Sequence, residues 1–231
     1  MGYKSLKNCL TDLDNKGELR RISKESNPDL EMASIHLDEF AKNGKAILFE
    51  NIRGSNYKAV SNLFGSLSRS RFMFRDSLQI VKDLIEIKTN PIFAFKNPVK
   101  AFFISLNAIF AIPKKVKFKD FKEIQINDLP QIKCWKNDGG SFITLPQVYT
   151  EDIDNPGIMN SNLGMYRIQL SGNEYSENRE VGMHYQIHRG IGVHQKKANQ
   201  KGKPLKVSIF VGGPPAHTFA AVMPLPEGMS E

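Results

Sequence analysis

Cysteine is almost missing from this sequence. Only Cys9 and Cys134 occur, neither in a Cys-x-x-Cys, which excludes a disulfide framework and a thiolate zinc site. A reducing, cytoplasmic setting is the matching expectation. Long hydrophobic runs are missing as well. The most apolar stretch, Ala101 to Ile112, is interrupted by Ser105 and Asn107, and it falls far short of the roughly 20 residues that cross a bilayer. It reads as a buried helix, and no integral membrane segment is expected. The N-terminal MGYKSLKNCLTDLDN lacks an apolar signal core, and Leu6 stands where a myristoylation motif needs Ser or Thr. Phosphate loops fail too. Lys197 occupies the first glycine position of a Walker A ending at Gly202-Lys203, Pro204 replaces its Ser or Thr, and no Gly-x-Gly-x-x-Gly occurs.

What is present is a globular composition. The 231 residues are 40% hydrophobic and 24% charged, enough for one large domain or two smaller ones. A net charge of +8 fits either a solvated lysine-rich surface or an anionic partner. Lysine is densest from Lys96 to Lys122, where Lys114, Lys115, Lys117, Lys119 and Lys122 interleave with Phe118 and Phe121. That pattern can track a phosphate backbone. The alternation of Lys115, Lys117 and Lys119 with Val116 and Phe118 equally suits an exposed edge strand.

Along the first hundred residues helix and strand signals alternate. Ser5 can cap a helix to Asn15 that Gly17 ends, and Gly17 to Ile22 reads as a short strand. Asn27-Pro28 opens a second helix with Met32, Ile35, Leu37 and Phe40 inward, ending at Asn43-Gly44. Ala46 to Phe49 and Tyr57 to Leu63 have strand character, and Ser77 to Lys88 has helical spacing. Beyond about residue 120 the texture turns to strands: Phe142 to Val148, Gly164 to Leu170, Gly182 to His188 and Leu205 to Val211. Val193 to Lys201 is the one clear helix there. The expected division is 1–119, an α/β domain with a helical connector, and 120–231, a β-rich domain.

Two polar clusters could carry chemistry. His184-Tyr185-Gln186-Ile187-His188 has zincin spacing without the zincin glutamate, so a metalloprotease is excluded. Read as a strand, it puts His184, Gln186 and His188 on one face, either as a polar wall or as solvent-facing residues. In the second cluster, Asn160 to Arg167, strict alternation points Asn162 and Arg167 apart. A bulge at Gly164 would turn both toward one site.

On these residues the chain resembles the UbiD family of decarboxylases, which use prenylated FMN (prFMN). The matching stretches are GELRRI, KAILFENIRG, LPQIKCW, DGGSFITLPQVYTED, NLGMYRIQL, HYQIHRGIG, VGGPPAH and MPLPEGMSE, in family order. The resemblance implies an α+β fold: an N-terminal α/β domain, then a split β-barrel of the flavin-reductase kind, C-terminally truncated relative to the family. It implies Asn162, His188 and Glu231 as ligands of a divalent metal, usually Mn2+, that also holds the flavin phosphate. A K+ site is implied at the carbonyls of Ala220, Ala221 and Met223. Flavin contacts are implied at Met165, Tyr166, Arg167, His184, Tyr185, Gln186, Arg189 and Gly190, with Arg167 also meeting the substrate carboxylate.

The implied reaction is decarboxylation of an aromatic or α,β-unsaturated acid, one family substrate being polyprenyl-4-hydroxybenzoate in quinone biosynthesis. The implied partners are that small acid and, at full length, further copies of the chain. The family's proton-donating acid lies downstream of the residue matched by Glu231, so these 231 residues alone are expected to be inactive. Two other classes stay open: a non-catalytic flavin- or phosphate-binding half-protein, and a basic nucleic-acid binder centred on Lys114 to Lys122.

Overall fold

The structure is a computed structural model and describes residues 2–89, 92, 96–108 and 121–223. The chain divides into two units, one comprising Leu67–Glu123 with the first two residues, the other Tyr3–Ser66 with Ile124–Glu231. The larger unit opens with α1 (Leu6–Asn15), capped as expected: the Ser5 hydroxyl accepts the Asn8 amide at 3.2 Å. Cys9 and Leu13, one turn apart, are its buried residues. There follow β1 (Leu19–Ile22), α2 (Glu31–Ala41), β2 (Ala46–Phe49) and β3 (Ala59–Ser61), forming a sheet of order β1-β2-β3. All four residues of β2 are buried because it is the central strand, parallel to β1 and antiparallel to β3. The parallel pair requires a crossover, which α2 supplies.

Helix α2 starts later than its Asn27-Pro28 signal. Residues 28–30 are used instead in pairing with Lys133, whose N–H donates to the Pro28 carbonyl and whose carbonyl accepts from Leu30, each at 3.0 Å. Met32 joins Ile47, Phe49 and Ile52 in a core cluster that Ile35 and Ile132 extend. Leu37 and Phe40, expected inward, are 46% and 52% exposed. Leu37 lies about 140° around the helix from Met32, outside the stripe that faces the sheet.

The smaller unit contains α3 (Leu67–Met73), which no sequence signal announced, α4 (Leu78–Thr89) and α5 (Pro98–Ala108). Helix α5 was expected to be buried, yet Phe102, Phe103 and Leu106 are exposed. No helix of the described residues is long and apolar enough to cross a membrane. Lys114, Lys115, Lys117 and Lys119 lie outside the described residues.

Beyond residue 123 the strands are shorter than their patterns suggest. Phe142 to Val148 resolves into β4 (Phe142–Ile143) and β5 (Gln147–Glu151), split at buried Pro146, which has no N–H to continue a ladder. Gly164 to Leu170 resolves into β6 (Ser161–Gly164) and β7 (Arg167–Gln169), which belong to different sheets. Then come β8 (Gly182–His184), α6 (Gly190–Gln200), β9 (Val207–Phe210) and a short α7 (Pro215–Ala220). Helix α6 thus begins three residues before Val193, and it is not the last helix of this region. The two sheets have orders β4-β7-β8 and β6-β5-β9. Among the described residues every sheet is open and three-stranded, and the fold is mixed α/β. Val148, Tyr166, Ile168, Leu170 and Ile191 form the core here.

Helix α6 is fastened through its middle turns to β5 and to the residue that follows it. The His194 ring nitrogen Nδ1 shares a 2.9 Å hydrogen bond with Thr150 Oγ1 on β5, and three residues on Lys197 pairs with Asp152 at 2.5 Å. The Lys197 ammonium, helped by the amides of Asp154 and Asn155, holds the Asp152 carboxyl at about 2 against partial burial. A carboxyl depressed below its ordinary 3.8 contributes stability that is present above that value and lost as pH falls through about 2. Lys197→Met is therefore expected to return the Asp152 titration toward its ordinary midpoint in an NMR titration and to flatten stability loss in this acid window. An unchanged Asp152 midpoint would refute the pairing.

Candidate active site

The β4-β7-β8 sheet sorts its residues by parity. Its register pairs Phe142 with Gln169, Ile143 with Ile168, Ile168 with Met183, and Arg167 with His184. Alternation then puts Ile143, Ile168 and Met183 on one face, which joins the core. Phe142, Arg167, Gln169 and His184 share the other. On that face the Arg167 guanidinium carbon lies 3.6 Å from the Phe142 ring centroid. The His184 ring meets Phe142 edge-on at 5.8 Å and 78°. A cation over an aromatic face is attracted by the ring quadrupole, so Phe142 both shields and orients Arg167.

Asp138 completes this cluster. Its Oδ1 accepts from Arg167 Nη2 at 3.0 Å, and its carboxylate also accepts the Trp135 amide. Burial pushes the Asp138 carboxyl up, but Arg167 and the amides of Trp135 and Cys134 outweigh that and hold it below the usual range. Arg167 Nε is a buried donor without a hydrogen-bond partner. An anionic or carbonyl oxygen at this face would relieve that cost.

A second cluster forms where β6 ends. Asn162 is buried, and its Nδ2 donates to Tyr166 Oη at 3.3 Å. The amide oxygen is thereby turned to the start of α6, where a Cβ on Gly190 would come within 1.9 Å of it. Only glycine fits there. Arg189 caps α6 without a side-chain hydrogen bond, so the uncapped first-turn amides suit an anion. His188, exposed on the turn just before, lines an open cavity of about 920 Å³ with Tyr185, Ile187, Val193 and Lys196.

Several expectations change accordingly. His184, Gln186 and His188 do not share a strand face, because β8 ends at His184 and the chain turns into α6. Tyr185 instead packs edge-on to Tyr166 at 6.3 Å. Gly164 is not a bulge but the end of β6, and Met165-Tyr166 carries the chain across to the other sheet. A Cβ on Gly164 would lie 2.4 Å from the Tyr166 ring, which is why glycine stands there. Asn162 thus joins the α6 cluster, while Arg167 joins the Phe142 cluster. Glu231 lies outside the described residues. Among the described residues no three His, Cys, Asp or Glu side chains gather around one point. The Ala220 carbonyl accepts the Met223 amide at 3.1 Å, closing α7. Asp138 and Phe142 escaped the sequence reading, since Asp138-Gly139-Gly140 looks like an ordinary turn.

A mixed α/β chain that presents a guanidinium on one sheet and an uncapped helix start on the next is built to receive anionic groups. Two family domains match it. The 3-octaprenyl-4-hydroxybenzoate carboxy-lyase Rift-related domain matches residues 111–231, and the N-terminal domain of the same carboxy-lyase matches residues 10–88. The chain belongs to the UbiD family. A subunit of 4-hydroxybenzoate decarboxylase from Chlamydia pneumoniae is 36% identical over 88% of this chain and 34% of its own length. The closed-form structure of vanillic acid decarboxylase from Sedimentibacter hydroxybenzoicus aligns at TM-score 0.76 and 26% identity, covering 99% of this chain and 47% of that one. An evolved dimeric form of the UbiD-class enzyme HmfF from Pelotomaculum thermopropionicum, in complex with prFMN, shares the fold at TM-score 0.62 and 22% identity, covering 95% and 47%. The chain therefore spans about a third to a half of the length of these relatives.

The Gly190–Asn162 contact is directly testable. Gly190→Ala should destabilise the protein by roughly 1–3 kcal/mol, because the methyl strikes the buried amide. Asn162→Ala should recover part of that loss, giving a coupling of roughly 1 kcal/mol in a double-mutant cycle by chemical denaturation. Additive losses would show that the two residues do not touch.

Proposed function

We propose that this chain is the N-terminal and cofactor-binding part of a UbiD-like non-oxidative decarboxylase, acting with prenylated FMN on an aromatic or α,β-unsaturated carboxylic acid. The observation that carries the reading is Arg167: a guanidinium stacked on Phe142, tied to Asp138 and left with a buried, unpartnered Nε. When bound, prenylated FMN supplies the electron sink for loss of carbon dioxide. Arg167 binds and orients the substrate carboxylate, for which a planar, permanently charged fork is suited. Phe142 excludes water from one side of that fork, and Asp138 restrains its rotation. His184, Tyr185, Gln186, Met165 and Tyr166 would line the flavin, and the Gly190 amide with the Arg189 side chain would receive its phosphate end.

Asn162, His188 and Glu231 would hold Mn2+, since one amide, one imidazole and one carboxylate leave a divalent ion net positive toward a phosphate. The chemistry of this donor set supports that assignment. K+ would take the carbonyls near Ala220, Ala221 and Met223. The domain division at 119/120 is supported by family domains matched at 10–88 and 111–231, and the sheets beyond it would belong to a split barrel. A polyprenyl-4-hydroxybenzoate substrate and a quinone-biosynthetic role are consistent with the family description. The evolved dimeric form of HmfF is in keeping with self-association of the full-length protein.

The test is anaerobic reconstitution of the purified protein with prFMN and Mn2+, followed by flavin absorbance, benzoate binding and carbon dioxide release from an aromatic acid panel. Asn162→Ala should weaken flavin retention at least about tenfold. Arg167→Ala should weaken benzoate binding by about 10- to 100-fold, with Arg167→Lys intermediate. Flavin retention without carbon dioxide release is the outcome expected of these 231 residues alone, loss of benzoate binding in Arg167→Ala separates this reading from a non-catalytic flavin binder, and no flavin retention at all would overturn it.

A further inference from the structure

Leu30 stands in the left-handed region of backbone space, at φ 67° and ψ −32°. Among the described residues five besides the glycines have positive φ, and the other four, Asn43, Asn62, Asn173 and Asn178, are asparagines. Asparagine tolerates this region because its short amide can bond locally, whereas a leucine there crowds its Cβ against the following carbonyl. Such strain persists only where the surroundings dictate it. Here hydrogen bonds on both sides do. The Leu30 N–H donates to the Lys133 carbonyl and the Lys133 N–H to the Pro28 carbonyl, each at 3.0 Å, while the Leu30 carbonyl accepts the Ser34 amide at 2.9 Å. Residue 30 thus meets a strand-like bridge through its N–H and a helix through its carbonyl, and the backbone turns sharply between the two.

What this bridge holds is the approach to Arg167. Ile132 packs on the core of Met32, Ile47, Phe49 and Ile52, and its carbonyl accepts the Phe142 amide at 2.8 Å. Phe142 is the ring on which Arg167 stacks. On the other side of Lys133 the chain runs into a turn closed twice over: the Asp138 amide donates to the Trp135 carbonyl, and the Trp135 amide donates to the Asp138 carboxylate, each at 3.0 Å. Asp138 then takes Arg167. Both contacts that fix the guanidinium therefore depend on Ile132-Lys133, and that pair is held by Leu30 and the N-terminal core.

We propose that Leu30 is a positioning residue for Arg167: its left-handed backbone fastens residues 132–133 to the N-terminal sheet, and that fastening sets the angle at which the guanidinium meets the substrate carboxylate. A planar fork binds a carboxylate well only when its two N–H bonds align, so a misplacement of about 1 Å is costly. The N-terminal sheet serves the site by holding its carboxylate-binding group, without touching substrate. The carboxylate role of Arg167 rests on the decarboxylase reading, whereas the link from Leu30 to Asp138 does not.

Trp135 is the one tryptophan in the sequence, so its fluorescence anisotropy reports the turn that carries Asp138. An NMR titration of Asp138 reports its grip on Arg167: burial raises this carboxyl, and Arg167 with the amides of Trp135 and Cys134 holds it low. Benzoate binding by protein reconstituted with prFMN and Mn2+ is the third readout. A β-branched residue is poorly able to hold positive φ. Leu30→Val should therefore lower the anisotropy, move the Asp138 midpoint upward and weaken benzoate binding about tenfold. Ile132→Ala, which loosens the same bridge from its other side, should move all three in the same direction. Leu30→Gly adopts positive φ freely and keeps the N–H, so its anisotropy and Asp138 midpoint should match the parent protein, with benzoate binding within about twofold. Leu13→Ala, in the buried face of α1, should lower the melting temperature and leave the three readouts in place, which separates positioning from stability. An unmoved anisotropy and Asp138 midpoint in both Leu30→Val and Ile132→Ala, or the same shifts in Leu13→Ala, would overturn the proposal. If the parent protein binds no benzoate, the decarboxylase reading fails, and the anisotropy and the Asp138 midpoint still decide the role of Leu30.

Discussion

The ring of Tyr166 packed against Gly164 is the contact on which the arrangement of the larger unit's C-terminal sheets depends. The ring occupies the space that any side chain at 164 would fill, so β6 stops there and the chain passes to the neighbouring sheet. Tyr166 is itself buried among Val148, Ile168, Leu170 and Ile191, with Tyr185 edge-on beside it. A buried phenol needs a partner, and Asn162 donates to it. Through that one bond the amide oxygen of Asn162 is aimed at the start of α6. The short segment from Asn162 to Arg167 therefore delivers an amide oxygen to a helix start and a guanidinium to a sheet face.

Electrostatics on that sheet face set what each group can do. The Arg167 guanidinium stacks on Phe142, where it costs less desolvation than a lysine ammonium would. The pair with Asp138 is partly open to water, so its value is orientation more than stability. The same charges silence a neighbour. Burial pushes the Cys134 thiol up and the Asp138 charge adds to it, against a smaller opposing effect of Arg167. Cys134 thus stays protonated and offers no nucleophile.

How much of this was legible in the sequence differs element by element. Helix α1 was plain, since Ser5 as cap and the buried pair Cys9 and Leu13 are local features that any tertiary context respects. Strand β2 was legible as a strand, because a short run of four apolar residues closed by Glu50-Asn51 suits a strand buried on both faces. The family motifs drew attention to Asn162, His188 and Arg167, yet alternation misjudged their surroundings. The segments around Pro146, Met165-Tyr166 and Tyr185 look continuous in hydrophobicity, but each changes sheet or turns into a helix there.

Composition, periodicity and motif, each read within a short window, were enough for the mixed α/β class, the family and the residue types available for anion binding. It took the folded chain to show that Asp138, twenty-nine residues upstream, grips Arg167, that Phe142 lies beneath it, and that Gly190 presses on Asn162. Each of these is a long-range contact between a residue and a partner on another element. Which partner is met follows from strand register and sheet exchange, set by how the whole core packs, and no local pattern encodes that.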